Sequence, residues 1–143
     1  MVTTRARVAL EGDGIVFRGF DEQGRSIVLD SGDDAIAPSP VVALLLALGA
    51  CSGMDVIGIL RKQRQKVKAY EILLDGTRRD EFPRSFTAIE VVHRVTGTAI
   101  DPRALAEAIR LSDTKYCSVH ATLVPGVKIT SRFEILDPGD ARE

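Results

Sequence analysis

The 143-residue sequence has no tryptophan, two cysteines and two histidines, and its 19 basic side chains nearly cancel 20 acidic ones. Each shortage excludes something. Two cysteines are too few to staple a small secreted domain. A structural zinc site takes four Cys or His ligands. Cys51, Cys117, His93 and His120 are all the chain has, with no CxxC or HxxxH spacing among them, so no metal is expected. A net charge of −1 and a pI near 6.1 leave no basic face for nucleic acid. There is no GxSxG, Walker or GxGxxG motif, and no cofactor is expected. Met1–Arg5 lacks the apolar run of a secretory leader, so a cytoplasmic protein with reduced thiols is the expectation.

What is present is enough to build a core. The length fits one domain, residues 1–143, with a frayed tail over Asp137–Glu143. The dominant feature is a nearly continuous apolar run, Val41–Leu60, followed by Arg61, Lys62, Arg64 and Lys66. A membrane span reads the same way. Asp55 in the run, the glycines Gly49, Gly53 and Gly58, and strand-like stretches on both sides argue instead for a helix buried in protein. Ser39 suits the N-cap and Pro40 the first turn, so the helix is predicted from about Pro40 to Gln65. So small a chain struggles to surround such a helix alone, which points to a homodimer. Gly49 and Gly53, four apart on one face, would let two backbones approach.

Around this helix the pattern is mostly β. Arg7–Glu11 alternates, Ile15–Phe17 is β-rich, and Ser26–Leu29 makes a third short strand, with turns at Glu11–Gly14 and Asp21–Gly24. Tyr70–Asp75 and Phe86–Val95 read as two strands, and Val127–Ile135 as the last. Asp101-Pro102 opens an amphipathic helix over Pro102–Leu111. Ser112, Asp113 or Thr114 would cap a short helix over Lys115–Leu123, which Pro125-Gly126 ends. The fold class is α+β.

The chemistry rests on the cysteines. Both could be small buried hydrophobes, or they could form a redox pair in which one sulfur attacks and the other resolves. Their 66-residue separation decides nothing, because geometry does. Local physics favours Cys117 as the thiolate, since a helix start and Lys115 lie beside it. Cys51 sits among apolar residues that oppose charge. His120, three residues after Cys117, is a candidate base or thiolate partner. Asp55, one turn after Cys51, would oppose a thiolate there, and suits capping or pairing with an Arg.

The segments Pro38–Leu60, Phe82–Thr87 and Leu111–Val119 together resemble the OsmC/Ohr family, most closely its broad subgroup of OsmC-like proteins. The resemblance covers roughly residues 14–135. It implies an intertwined homodimer, with long central helices packed between antiparallel sheets built from both chains. It further implies reduction of organic hydroperoxides by thiols, without metal or flavin, with a lipoyl-type dithiol as reductant. Cys51 matches the attacking cysteine and Cys117 the resolving one, the reverse of the local argument. The resemblance also implies an Arg from the N-terminal meander on the first thiolate. Arg18 is the first choice and Arg25 the second. A Glu should hold that Arg from nine or ten residues before Cys51, but Val42 and Val41 stand there.

The leading expectation is therefore a cytoplasmic homodimeric thiol peroxidase acting through a Cys51–Cys117 disulfide. Apolar walls from Leu44, Leu45, Leu48 and Tyr116 would favour organic peroxides. Neither nucleic acid nor membrane is an expected partner. A second reading is a dimeric binding or stress-related protein that kept the fold and lost the chemistry, as the missing Glu suggests. A third is a membrane anchor through Val41–Leu60.

Overall fold

The structure is a computed structural model and describes residues 1–140; residues 141–143 of the expected tail lie outside it. The chain forms two compact units, Met1–Leu46 and Ala47–Glu143.

The first unit is an antiparallel meander of β1 (Arg7–Glu11), β2 (Val16–Phe20) and β3 (Ser26–Leu29), in that order. Turn chemistry sets its register. Gly12 and Gly24 take φ of +74° and +81°, a region that disfavours residues with a Cβ. β2 runs to Phe20, past the expected end at Phe17, because Phe20 pairs with both Arg7 and Ser26. After β3, the buried Asp30 accepts from the N–H groups of Ser31 and Ile36 and holds the following loop. That loop delivers Ser39, whose hydroxyl accepts from Val42 N–H at 3.2 Å and caps α1 (Pro40–Lys62), as expected. α1 continues into the second unit. It stops three residues before the expected Gln65 because Arg64 adopts a left-handed φ of 57°. Gln65 N–H then reaches back to Leu60 C=O, satisfying a carbonyl the helix leaves free.

The second unit packs the rest of α1 on a sheet of β4 (Val67–Arg78), β5 (Phe86–Gly97) and β6 (Lys128–Leu136), in that order. β4 and β5 pair antiparallel, but β5 and β6 pair parallel. The sheet is mixed rather than wholly antiparallel, because β6 follows a helical crossover and not a hairpin. The crossover holds α2 (Pro102–Leu111), a π-helical turn at Ser112–Tyr116, and α3 (Ser118–Leu123). α2 has its expected bounds, with Asp101 accepting from Arg103 N–H and Pro102 at the first position. The tail forms a short 3-10 turn at Pro138–Asp140.

Val56 and Leu60 of α1, Val95 of β5, and Leu105, Ala108 and Ile109 of α2 form the core. The α1 glycines act within the chain. A Cβ at Gly49 would meet Leu74 Cδ1 at 2.8 Å, and one at Gly53 would meet Ile72 Cδ1 at 2.9 Å. This pair thus lets α1 lie close on β4, which corrects the expectation that it serves a helix–helix approach. α1 is long and apolar enough to cross a membrane, yet one face is sealed by β4, β5 and α2. Other positions stay open in the single chain, with Leu44, Leu46 and Met54 45%, 52% and 72% exposed.

Candidate functional site

Two helices and one turn converge on the cysteines. Cys51 and Asp55 are i, i+4 on α1 and share a face. Cys117 reaches them from the crossover, although it is distant in sequence. The side-chain donor atoms of Cys51, Asp55 and Cys117 all lie within 4.8 Å of one another. Both thiols are free; Cys117 is buried and Cys51 partly so.

Local structure explains how Cys117 is delivered. The expected helix over Lys115–Leu123 is split: a π-helical turn runs to Tyr116, and Cys117 itself is the N-cap of α3. Its Sγ accepts from His120 N–H at 3.3 Å, and its own N–H donates to Ser112 C=O at 2.9 Å. Ser112 is fully buried, and its hydroxyl lies 2.9 Å from Asp55 Oδ2 and 3.3 Å from Ser52 Oγ. A hydroxyl has one proton. Ser112 donates it to the carboxylate, and Ser52 donates to Ser112. The turn before Cys117 is thereby tied to the face of α1 that carries Cys51.

This environment opposes a thiolate at Cys117, against the local electrostatic argument. Burial, and then the hydrogen bond shared with Cys51, push the Cys117 thiol up to about 11; the His120 N–H only partly opposes this. The Lys115 ammonium lies 5.2 Å above the Tyr116 ring. Cys117 is therefore a proton-holding thiol beside Cys51. The His120 ring faces Asp113, with Nε2 3.8 Å from its carboxylate, so His120 meets Cys117 through its backbone.

The candidate arginines lie in the meander unit, and both have carboxylate partners there. Arg18 Nε donates to both oxygens of Glu11 at 3.0 and 3.1 Å, and its guanidinium also reaches Ser26 Oγ. Glu11 thus holds Arg18, a pairing that a search just upstream of Cys51 misses. Arg25 is tied at 2.7 Å to Asp21 inside its own turn.

One polar pair was not singled out from the sequence. Tyr70 Oη lies 2.6 Å from Nδ1 of the fully buried His93, and His93 Nε2 has no hydrogen-bond partner among the described residues. Burial lowers His93 to about 4 and raises the Tyr70 hydroxyl. The bond therefore joins two neutral groups, with the tyrosine donating. A histidine in the alternating β5 pattern facing a tyrosine in β4 was the available signal. The register supports it, since Tyr70 pairs with Val95 and His93 with Ile72.

The chain belongs to the OsmC-like family, whose model matches residues 31–132. It is 41% identical over 124 residues to Protein YhfA of Escherichia coli K12, covering 87% of this chain and 92% of that protein. Among solved structures it is similar to a hypothetical protein from Aquifex aeolicus VF5, at 32% identity and a TM-score of 0.83, covering 96% and 98% of the two chains. The organic hydroperoxide resistance protein OhrB of Bacillus subtilis shares the fold at 15% identity and a TM-score of 0.60, covering 93% and 98%.

Proposed function

We propose that this OsmC-like chain reduces organic hydroperoxides with its two thiols, as a cytoplasmic homodimer. The observation that carries the reading is the approach of Cys51 to a Cys117 held as a thiol. The Cys51 thiolate attacks one peroxide oxygen and the O–O bond breaks. The alkoxide leaves and is protonated to the alcohol, while Cys51 becomes a sulfenic acid. Cys117 then attacks the Cys51 sulfur, giving its proton to the departing hydroxyl, and water leaves as the disulfide forms. A dithiol of the lipoyl kind resets the pair by exchange. Arg18, oriented by Glu11, is the proposed cation for the Cys51 thiolate. The name of OhrB fits this substrate class.

The homodimer is supported by apolar surface that a single chain leaves uncovered. Ile15 and Ile27 of the meander, Ile36 of the loop that follows it, and Leu46 and Met54 of α1 are each more than half exposed, and a second copy of the chain would cover such side chains.

A second reading, a binding protein without peroxidase activity, is favoured by Asp55 beside the thiols and by Val41 and Val42 where a carboxylate is expected. Stoichiometric organic hydroperoxide added to reduced protein separates the two. Rapid loss of both thiols as a Cys51–Cys117 disulfide, blocked in Cys51→Ser, is the expected result. Thiols that stay intact at a peroxide level that oxidises an established thiol peroxidase would refute the enzyme. Loss blocked by Cys117→Ser and not by Cys51→Ser would reverse the order of the sulfurs.

A further inference from the structure

The Cys51 cluster holds a third donor that thiol chemistry does not need. A carboxylate next to two thiols opposes forming any thiolate there. Among the described residues, no Lys, Arg or His side chain lies within ion-pair distance of Asp55. Its recorded polar partner is the neutral hydroxyl of Ser112. Within this unit the three donors thus converge with no basic side chain paired to the carboxylate.

We propose that reduced Cys51, Asp55 and Cys117 bind one thiophilic divalent cation, zinc by the chemistry of the donor set. Two sulfurs and one carboxylate oxygen are a borderline-soft set that suits zinc over magnesium or calcium. Three protein ligands leave a fourth position for water or an exogenous ligand. Ideal tetrahedral zinc, with bonds of about 2.1–2.3 Å, separates such donors by roughly 3.6–3.8 Å. The three atoms already lie within 4.8 Å of one another, so closing on a metal takes at most about an ångström of movement.

The surroundings fit a ligating role. Cys51 and Asp55 come from adjacent turns of one rigid helix, and Cys117 from a turn anchored to that helix by Ser112. Ser112 in turn receives the Ser52 hydroxyl at 3.3 Å. Outer hydrogen-bond donors of this kind fix the orientation of a ligating carboxylate. The search for a motif in the sequence misses the site because the two sulfurs are far apart in the chain and the third ligand is not Cys or His.

Binding displaces the thiol protons, so the metal form is a dithiolate with no proton left between the sulfurs. A bound metal would also occupy the sulfurs that peroxide must reach. The inference does not rest on the peroxidase reading, because it is tested with no peroxide present. Cobalt(II) titrated into reduced, EDTA-stripped protein should saturate at one ion per chain and show thiolate-to-cobalt charge transfer and tetrahedral d–d bands. Zinc should displace it, with its affinity read against a chromophoric chelator. Cys51→Ser and Cys117→Ser, checked for native circular dichroism, should lose the charge-transfer band or halve it. Asp55→Asn should weaken binding at least tenfold. Wild-type protein oxidised to its disulfide with diamide keeps the native chain and should bind no cobalt. Absence of saturable binding at micromolar metal overturns the site, and so does a charge-transfer band that keeps its full intensity in either cysteine variant. An Asp55→Asn affinity within twofold of wild type overturns the three-donor set.

Discussion

Ser112→Ala removes one oxygen and tests how the site is held together. Ser112 is fully buried, and its hydroxyl links the Asp55 carboxylate at 2.9 Å to Ser52 at 3.3 Å. A hydrogen bond to a charged group contributes about 1.5–3 kcal/mol, and the longer neutral bond about 0.5–1 kcal/mol. The loss should total about 2–4 kcal/mol, a large part of the roughly 5–15 kcal/mol that holds a domain folded. With a urea slope of about 2 kcal/mol/M, the unfolding midpoint should fall by about 1–2 M. The control is Thr122→Ala, whose hydroxyl bonds Ser118 C=O on an exposed helix and should cost under about 0.5 kcal/mol. Protein concentration stays fixed across the series, because association would shift the midpoint. The bond from Cys117 N–H to Ser112 C=O uses the backbone and survives the substitution. Cys51 should therefore still oxidise, while closure to the disulfide slows as the turn carrying Cys117 loses its tie to α1. A midpoint change below about 0.2 M at unchanged slope would refute the bond to Asp55 as the anchor of this turn.

Two further tests follow from packing and burial. Gly58 has open space where a Cβ would go, whereas a Cβ at Gly49 would stand 2.8 Å from Leu74 Cδ1. Gly58→Ala should raise stability by about 0.5–1 kcal/mol through helix propensity, and Gly49→Val should lower it by about 1–3 kcal/mol through overpacking. Thermal unfolding reads both, and equal effects would refute the close seat of α1 on β4. His93 has its folded pKa lowered by burial from 6.5 to about 4. A lowered value means that the stability it confers is intact above pH 6.5 and is lost as pH falls through about 4, to about 3 kcal/mol in all. In His93→Gln the acid limb of the stability curve should flatten over that window. An unchanged limb would show that His93 is not the group being charged.

Local pattern decided what could be read in advance. Pro102–Leu111 was legible to the residue because Asp101 and Pro102 mark its start and its apolar positions recur at helical spacing. Ser39 and Pro40 placed the start of α1 for the same reason, but not its end, since no glycine or proline announces the left-handed Arg64. The parallel pairing of β5 with β6 has no local mark, because it follows from where α2 and α3 pack. Arg18 was legible as a candidate, but its partner Glu11 lies across a hairpin, and only the register brings them together.

The two thiols show the same division in their chemistry. Read along the chain, Cys117 has a helix start and a lysine beside it, so it looks like the more acidic sulfur. Folding adds two larger effects. Burial removes water from Cys117, and Cys51 arrives as an acceptor for its proton. Each opposes charge on Cys117, and together they outweigh one backbone N–H at 3.3 Å from a helix of six residues. The same contacts make Cys117 suited to the resolving step, where a nucleophile must also deliver a proton to the departing oxygen. In the proposed cycle the division of roles between the sulfurs thus rests on the Ser52–Asp55–Ser112 network that brings them together, which is why disturbing Ser112 should act on disulfide closure before it acts on Cys51.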